Sequence, residues 1–372
     1  MNIKEVVTGF TIDVIASTSF GTDTDANGDR SNNNSFVFNG VRLFNFNPLK
    51  LAAVYSLPRS VLKSIGIRTI FPDDSLEFFV KLCRKIIQTR RRNKESQTNA
   101  RKRTDLLQLM MDSFVYDKDL KATNYHRLGV DMDRDGSLNE IGQTDFERKR
   151  QTLTEDEIVA QCMIFFVAGF ETTAATISHC IYQLMKNPSI QDRLYDDLCK
   201  QLDHEPIIDS KCKSNDLIEY CDTLLNKMPY LEAVIKETLR MYPPVIRIER
   251  RLGVNYYKLG GIPLVKNVLV EIPTIAVHYN PEYYPNPDRF DPERFMPHNR
   301  SKLTPYTYLP FGDGPRNCIG IRFAYQEIKM CLAQLISRYR FECTPETPDK
   351  LQFLNGSIML NSRPFPVKVI KR

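Results

Sequence analysis

One long apolar segment, residues 154–186, constrains the fold of this chain more than any other feature. It opens with a capping box, in which Thr154 and Glu157 each bond the other's backbone at a helix start. It ends at Asn187-Pro188, because the residue before a proline disfavours helical geometry. A helix of about 32 residues is roughly 48 Å long. Its middle is apolar on nearly every side, so we expect it in the core of a large helical domain.

The composition allows such a core and excludes several classes of protein. The chain has 372 residues, of which 42% are hydrophobic, so a disordered chain or a disulfide-stapled mini-protein is excluded. Its nine cysteines include no C-x-x-C pair, which argues against a disulfide framework and a local zinc site and favours a reducing compartment. The net charge of +6 is too weak to imply nucleic acid as a partner.

The sequence also carries information about membranes. Residues 1–21 have helical apolar spacing but no continuous apolar region or cleavage site of a signal peptide. No stretch approaches 18 uninterrupted apolar residues, so we expect no bilayer-spanning segment. Segment 41–72 is apolar and interrupted by prolines. It is either a packed helical loop or a segment that touches a membrane or covers a pocket.

Residues 116–153 are polar and without periodicity, which predicts a flexible insertion. Within it, residues 131–140 resemble the first half of a calcium loop. The twelfth position, where such a loop needs a bidentate glutamate, is Gly142. We therefore favour an insertion over a calcium site.

The remaining patterns predict a mainly α protein with minor β structure. Apolar residues at helical spacing mark a helix from Leu76 to Ile87. Further helices are predicted at 190–202, 229–242 and 319–339, short β segments at 245–273, and a hairpin turning at Asn355-Gly356.

The residues with the clearest chemistry are Phe311-Gly-Asp-Gly314-Pro-Arg316-Asn-Cys318-Ile-Gly320. Here one cysteine stands between glycines just before a predicted helix, whose N-terminus would lower the thiol pKa and donate hydrogen bonds to a thiolate. The glycines allow the backbone to approach a flat, bulky group, and Arg316 suits a carboxylate. A thiolate that ligates haem iron combines these features.

This spaced set resembles the haem-binding signature of the cytochrome P-450 family. Glu237-Thr-Leu-Arg240 is similar to the family's E-x-x-R, and Pro292-Glu-Arg294-Phe295 to its P-E-R-F. The resemblance implies a structural cluster of Glu237, Arg240 and Arg294 behind the haem. It covers nearly the whole chain outside the insertion and is nearest to the microsomal branch of animal drug-oxidising enzymes and thromboxane synthase.

In the long helix, Ala168-Gly-Phe-Glu171-Thr172 resembles the family's A-G-x-E-T. By resemblance, Thr172 and Glu171 relay protons during dioxygen activation. Ile164, Ala168 and Thr172 recur at i, i+4 and i+8 and form one stripe that would face the haem. Gly169 and the Thr172 hydroxyl could loosen the helical hydrogen bonds and admit water.

The resemblance implies haem b as the cofactor, with Cys318 as the axial ligand of its iron. The implied haem-binding residues are Cys318, Arg316, Arg250, Phe311, Gly314, Gly320 and Ala168. Arg250 matches a position that contacts a propionate. Ile164, Val245, Ile246 and the turn at 354–357 would line a substrate pocket. His278 and His179 are expected to be satisfied core or surface histidines and not ligands.

The function implied is that of a haem-thiolate monooxygenase acting on a small apolar substrate, with electrons from an NADPH-dependent flavoprotein reductase. Two alternatives remain open: a peroxide isomerase of the thromboxane-synthase type, and an inactive or non-folding fragment of a monooxygenase. The family's membrane anchor, first helices and most of its first sheet have no counterpart here, so residues 1–372 are expected to form one partial domain. Membrane association at the cytoplasmic face of the endoplasmic reticulum is expected for the full-length family member only.

Overall fold

We describe a computed structural model of the chain. The structure describes residues 1–27, 34–95, 104–113, 153–202, 214–354 and 359–372. The predicted insertion, apart from Leu153, lies outside these residues, and so do the calcium-like segment and the predicted turn at Asn355-Gly356. The described chain is mostly helical with small β sheets, as the sequence predicts.

The chain separates into two compact units, one formed by residues 5–171 and the other by residues 1–4 and 172–372. In the first unit the helices are α1 (Ile3–Ile15, which starts in the other unit), α2 (Ser35–Arg42), α3 (Pro48–Ser56), α4 (Arg59–Ser64), α5 (Asp73–Glu95) and α6 (Leu106–Asp112). A π-helical turn, Ala16–Phe20, follows α1. Segment 41–72 thus contains helices, and α3 has no buried residue.

Helix α7 (Glu155–Lys186) contributes residues to both units. The predicted capping box is present: the Thr154 N–H donates to Glu157 Oε2 at 2.8 Å and the Glu157 N–H donates to Thr154 Oγ1 at 3.3 Å. In the first unit, Phe166 and Phe170 are fully buried and join an aromatic cluster with Phe36 and Phe79. This packing explains why a helix so apolar sits in a core.

Gly169 has a packing role in α7. The helix is continuous from Glu155 to Lys186. A Cβ atom at Gly169 would lie only 2.7 Å from Ile15 Cδ1. Glycine at this position therefore permits close packing of α1 against α7 within the first unit.

By length and composition α7 is also the one helix among the described residues that could cross a membrane, with a mean hydropathy of 1.6 over its most apolar window. More than half of that window is buried within the protein. A helix buried in a protein core passes the same test of length and composition. The burial of this window is that of a core helix.

The second unit contains helices α8 (Pro188–Gln201), α9 (Ser214–Asn226), α10 (Pro229–Met241), α11 (Thr274–His278) and α12 (Ile321–Arg338). Short 3₁₀ helices span Pro292–Phe295, Pro297–Lys302 and Gly314–Arg316. Prolines at the first turn of α8 and α10 fix their starts, because proline there costs no helical hydrogen bond.

Six short strands form three antiparallel pairs in this unit: β1 (Ile248–Arg251) with β4 (Leu269–Ile272), β2 (Tyr256–Leu259) with β3 (Ile262–Val265), and β5 (Tyr339–Glu342) with β6 (Lys368–Lys371). Gly260 and Gly261 both have positive φ and form the tight turn between β2 and β3. The arms of the predicted C-terminal hairpin meet at the bridge between Phe353 and Ser362.

Candidate functional site

The loop that carries Cys318 is a closed turn held by backbone hydrogen bonds. The Cys318 N–H donates to the Phe311 carbonyl at 2.8 Å, and the Phe311 ring lies 5.5 Å from the ring of Tyr325 on α12. Gly312 and Gly314 have φ of 72° and 76°, a region that residues with a Cβ rarely adopt. A Cβ at Gly314 would meet no atom within 4 Å, so the space beside the turn is open.

Cys318 is an exposed residue of this loop. Its side chain is exposed, whereas Cys83, Cys162, Cys180 and Cys331 are buried. Burial by the loop nevertheless raises the pKa of the Cys318 thiol, and a hydrogen bond from the Gly320 N–H acts in the opposite direction. The prediction of a lowered pKa is therefore wrong, because α12 begins only at Ile321 and desolvation outweighs the single N–H.

Glu237, Arg240 and Arg294 meet in the second unit. Arg240 donates to both carboxylate oxygens of Glu237, from Nε at 2.8 Å and from Nη2 at 2.9 Å, and both side chains are fully buried. Arg294 Nε lies 3.4 Å from Glu237 Oε1, and the Asp291 N–H donates to the same oxygen at 2.9 Å. The single carboxylate thus joins α10 to the Pro292–Phe295 turn.

His278, at the end of α11, is a functional candidate, although the sequence predicts only a satisfied core or surface histidine there. Its Nε2 accepts a hydrogen bond from the Leu309 N–H at 2.8 Å, and its Nδ1 lies 2.9 Å from the Arg240 carbonyl oxygen. Burial lowers the His278 pKa to about 4. The apolar residues before His278 indicate burial, but its partners lie 31 and 38 residues away, where no local pattern reveals them.

The other histidine of this kind, His179 on α7, is not satisfied as predicted. It is 1% exposed, and neither ring nitrogen has a hydrogen-bond partner among the described residues. The rings of Tyr242 and Phe353 lie 5.2 and 6.0 Å away. Burial lowers the His179 pKa to about 3, so the ring is neutral at physiological pH.

Arg316 and Arg250, the two predicted propionate contacts, are both exposed in the second unit. Arg316 lies two residues before Cys318 and makes no side-chain hydrogen bond or ion pair with any residue in the described ranges. Arg250 is on β1, and its Nη1 donates to the Glu249 carbonyl at 2.8 Å. Neither guanidinium is neutralised by a described carboxylate, so both can bind an added anion.

Helix α7 carries four of the predicted site residues, Ile164, Ala168, Glu171 and Thr172. Ile164 is 62% exposed, Ala168 is also exposed, and Thr172 is half-buried, so their shared face is accessible. Glu171 is 5% exposed. The Thr172 carbonyl accepts a hydrogen bond from Thr176 Oγ1 at 2.8 Å.

The predicted pocket residues of the second unit, Val245 and Ile246, lie between α10 and β1. Their side chains are 45% and 36% exposed, which is high for aliphatic residues. Of the predicted pocket turn at 354–357, only Leu354 lies within the described residues, and it is 45% exposed.

The residues present fit a haem group. Within the described ranges, no three His, Cys, Asp or Glu side chains gather to hold a bare metal ion. One cysteine on an exposed loop, with an amide N–H bonded to its sulfur, suits a metal whose remaining ligands come from a macrocycle. The two guanidinium groups suit its carboxylates, and the open space beside Gly314 accepts a bulky group.

Comparison with known proteins agrees with this chemistry. The sequence matches the Cytochrome P450 family over residues 1–369. It is 32% identical over 375 residues to Cytochrome P450 3A14 of Cavia porcellus and 33% identical over 376 residues to Cytochrome P450 3A2 of Rattus norvegicus. Each alignment covers 100% of this chain and 65% of the relative, so the chain spans about 65% of their length. The chain belongs to the cytochrome P450 family.

Proposed function

We propose that this chain is part of a haem-thiolate monooxygenase that inserts one atom of dioxygen into a small apolar organic substrate. The observation that carries the proposal is the Cys318 loop, where the sulfur of an exposed cysteine receives an N–H hydrogen bond from Gly320. Family membership supports the same chemistry.

Cys318 would hold the haem iron through its sulfur, and Arg316 and Arg250 would bind the propionates. Phe311, Gly314 and Gly320 would shape the loop, since their backbone conformation allows it to lie against a flat group. Ala168, on the accessible face of α7, would contact the macrocycle. When bound, haem with a thiolate ligand supplies the chemistry for activating dioxygen.

The chain's own residues would deliver protons to the reaction and exclude bulk water from the substrate pocket. The Glu171 carboxyl oxygens would hold a proton, and Thr172 Oγ1 would pass it on, because hydroxyl groups both donate and accept. The cluster of Glu237, Arg240 and Arg294 would keep the cysteine loop in place. Ile164, Val245 and Ile246 would exclude water and orient an apolar substrate.

The electrons would come from an NADPH-dependent flavoprotein reductase. The resemblance to the microsomal branch supports this partner and a location at the cytoplasmic face of the endoplasmic reticulum membrane. These two points depend on the resemblance and not on a docking surface.

The test reconstitutes the full chain with haem, a flavoprotein reductase and NADPH, using 7-ethoxycoumarin as a small apolar probe. We expect dealkylated product only when NADPH and dioxygen are both present. C318S should abolish NADPH consumption above the reductase background. T172A should still consume NADPH but form less product from it, because proton delivery is impaired.

Two results would contradict the proposal. Wild-type protein that consumes no more NADPH than C318S would exclude a monooxygenase. Conversion of an organic endoperoxide without NADPH or reductase, and at a rate that E171Q and T172A do not change, would indicate a peroxide isomerase instead.

A further inference from the structure

The imidazole of His278 is fixed in one tautomer by its two hydrogen bonds. Its side chain is fully buried. The Leu309 N–H can only donate, so Nε2 must accept, and the Arg240 carbonyl oxygen can only accept, so Nδ1 must donate. Both bonds exist together only in the neutral ring with its proton on Nδ1.

These two bonds connect the buried carboxylate cluster to the cysteine loop. On one side, Arg240 Nη1 donates in return to the His278 carbonyl at 3.0 Å. On the other side, the Leu309 carbonyl accepts a hydrogen bond from the Gly312 N–H at 3.1 Å, which begins the turn that Cys318 closes on Phe311. The path from Arg240 to Cys318 thus runs through these hydrogen bonds and the peptide bond between Phe311 and Gly312.

Packing holds the ring in the plane that these bonds need. The Tyr308 ring stacks on His278 with centroids 5.7 Å apart and an interplanar angle of 14°. Tyr308 is itself anchored, since its hydroxyl donates to the Lys236 carbonyl at 3.2 Å. The His278 ring therefore has little freedom to rotate out of its hydrogen bonds. Because the ring is fixed in this way, a shift of the Arg240 backbone would also shift the backbone at Leu309.

We propose that His278 is a positioning residue that transfers the placement of Arg240 to the backbone at Leu309 and so sets where Cys318 is presented. The metal to which Cys318 is presented rests on the proposed function. The two hydrogen bonds that link Arg240 through His278 to Leu309 form the bridge. The bridge involves only the polypeptide, so it can be tested without the metal.

Two amide substitutions separate the two bonds. The amide of H278Q reaches the position of Nε2 and can still accept from the Leu309 N–H, but it gives up the Nδ1 donor. The amide of H278N reaches the position of Nδ1 and can still donate to the Arg240 carbonyl, but it gives up Leu309. Both are neutral at every pH, and H179F is the matched control, because His179 is equally buried in the same unit and has no such bonds.

The experiment measures hydrogen exchange of the segment from Leu309 to Cys318 in the full chain without haem, and the carbon monoxide spectrum after haem is supplied. We expect exchange at Leu309 to rise about tenfold in H278N, the effect of losing one buried hydrogen bond. H278N should also lose most of the thiolate-type spectrum. H278Q should keep slow exchange at Leu309 but lose part of the thiolate-type spectrum, because its bond to Arg240 is broken, and H179F should leave both properties unchanged. A wild-type spectrum in H278Q would contradict a role for Arg240 in placing Cys318.

Equal exchange at Leu309 in H278N and H278Q would overturn the proposal, since a residue that only fills space cannot distinguish the two amides. If wild type shows no thiolate-type spectrum, the proposed function fails, while the exchange data still decide whether the bridge exists. If both variants fail to fold, NMR of histidine-labelled wild type decides, with H179F to help assign the five histidines. The proton on Nδ1 of His278 supports the bridge, and the proton on Nε2 contradicts it.

Discussion

Both side chains of the Glu237–Arg240 pair are fully buried, so each charged group is stabilised by the opposite charge of its partner and not by water. Removing one partner leaves an uncompensated charge in the core. The pair of Arg247 and Glu249 joins the same kinds of charged group, with Nε 2.8 Å from Oε1, but both side chains are exposed.

We predict that E237A destabilises the chain by about 3–5 kcal/mol, because Arg240 keeps its charge without a carboxylate. The exposed control, E249A, should cost less than about 1 kcal/mol. Urea unfolding of both variants measures the difference. Equal losses in the free energy of unfolding would show that burial of the Glu237–Arg240 pair does not increase its contribution to stability.

Glu327 on α12 is a buried carboxyl group that the proposed chemistry does not use. It is 5% exposed, Oε1 has no hydrogen-bond partner within the described ranges, and burial raises the Glu327 pKa to about 8. The thiol of Cys331, one turn further along α12, has its own pKa raised by burial and by this carboxyl group. Glu327 is therefore mostly protonated in the folded protein at neutral pH.

This environment predicts that E327Q is more stable than wild type under alkaline conditions. The folded state keeps the Glu327 proton up to about pH 8, whereas the unfolded chain releases it near 4.5. Stability is thus lost between these pH values, at about 1.4 kcal/mol per unit. Urea midpoints from pH 5 to 9 should fall less steeply in E327Q than in wild type, and E346Q, at an exposed position, should keep the wild-type slope.

At the scale of elements, the contact of α1 with α7 in the first unit depends on Gly169. A Cβ there would approach Ile15 Cδ1 to 2.7 Å and Ile15 Cγ1 to 3.2 Å. Alanine normally favours a helix over glycine by about 1 kcal/mol, but overpacking in a core costs about 1–3 kcal/mol. The second effect should prevail, because Ile15 is itself buried.

We therefore predict that G169A destabilises the protein and that I15V partly restores it by removing Cδ1. Measured by urea unfolding, the double variant should be more stable than the sum of the single changes implies. Strict additivity would show that Ile15 is not what excludes a side chain at position 169.

The helix boundaries were predictable because their determinants are local. The Thr154–Glu157 capping box and the prolines at the first turn of α8 and α10 act within one helical turn. The pairing of β5 with β6 was missed, because Tyr339 and Lys371 meet only through the topology of the whole unit.

The candidate site, too, has features with local determinants, which could be predicted, and features with long-range determinants, which could not. The spaced residues around Cys318 indicated the site from sequence alone, and the structure brings Glu237, Arg240 and Arg294 together as expected. The bridge through His278 and the raised pKa of Cys318 could not be predicted, because both depend on packing between segments far apart in the chain.

At the scale of the whole molecule, two buried neutral histidines predict sensitivity to acid. Burial lowers the pKa values of His278 and His179 from 6.5 to about 4 and about 3. The unfolded chain takes up these protons below pH 6.5 and the folded state does not, so stability falls as the pH drops from 6.5 toward 4. Each histidine contributes about 1.4 kcal/mol per pH unit over this range.

The double variant H179F/H278Q should lose most of this slope between pH 6.5 and 5, as measured by urea midpoints. Carboxylates that titrate below pH 5 affect the variant and wild type alike, so the comparison is made above that value. An unchanged slope would mean that other groups cause the acid sensitivity.

The central claim is that Cys318 presents a thiolate to haem iron, and the carbon monoxide difference spectrum of the reduced, haem-supplied protein tests it most directly. The account predicts a thiolate-type Soret band for wild type and for C343S, which removes another exposed cysteine, and its loss in C318S. A wild-type spectrum without that band, or a C318S spectrum that keeps it, would contradict the account.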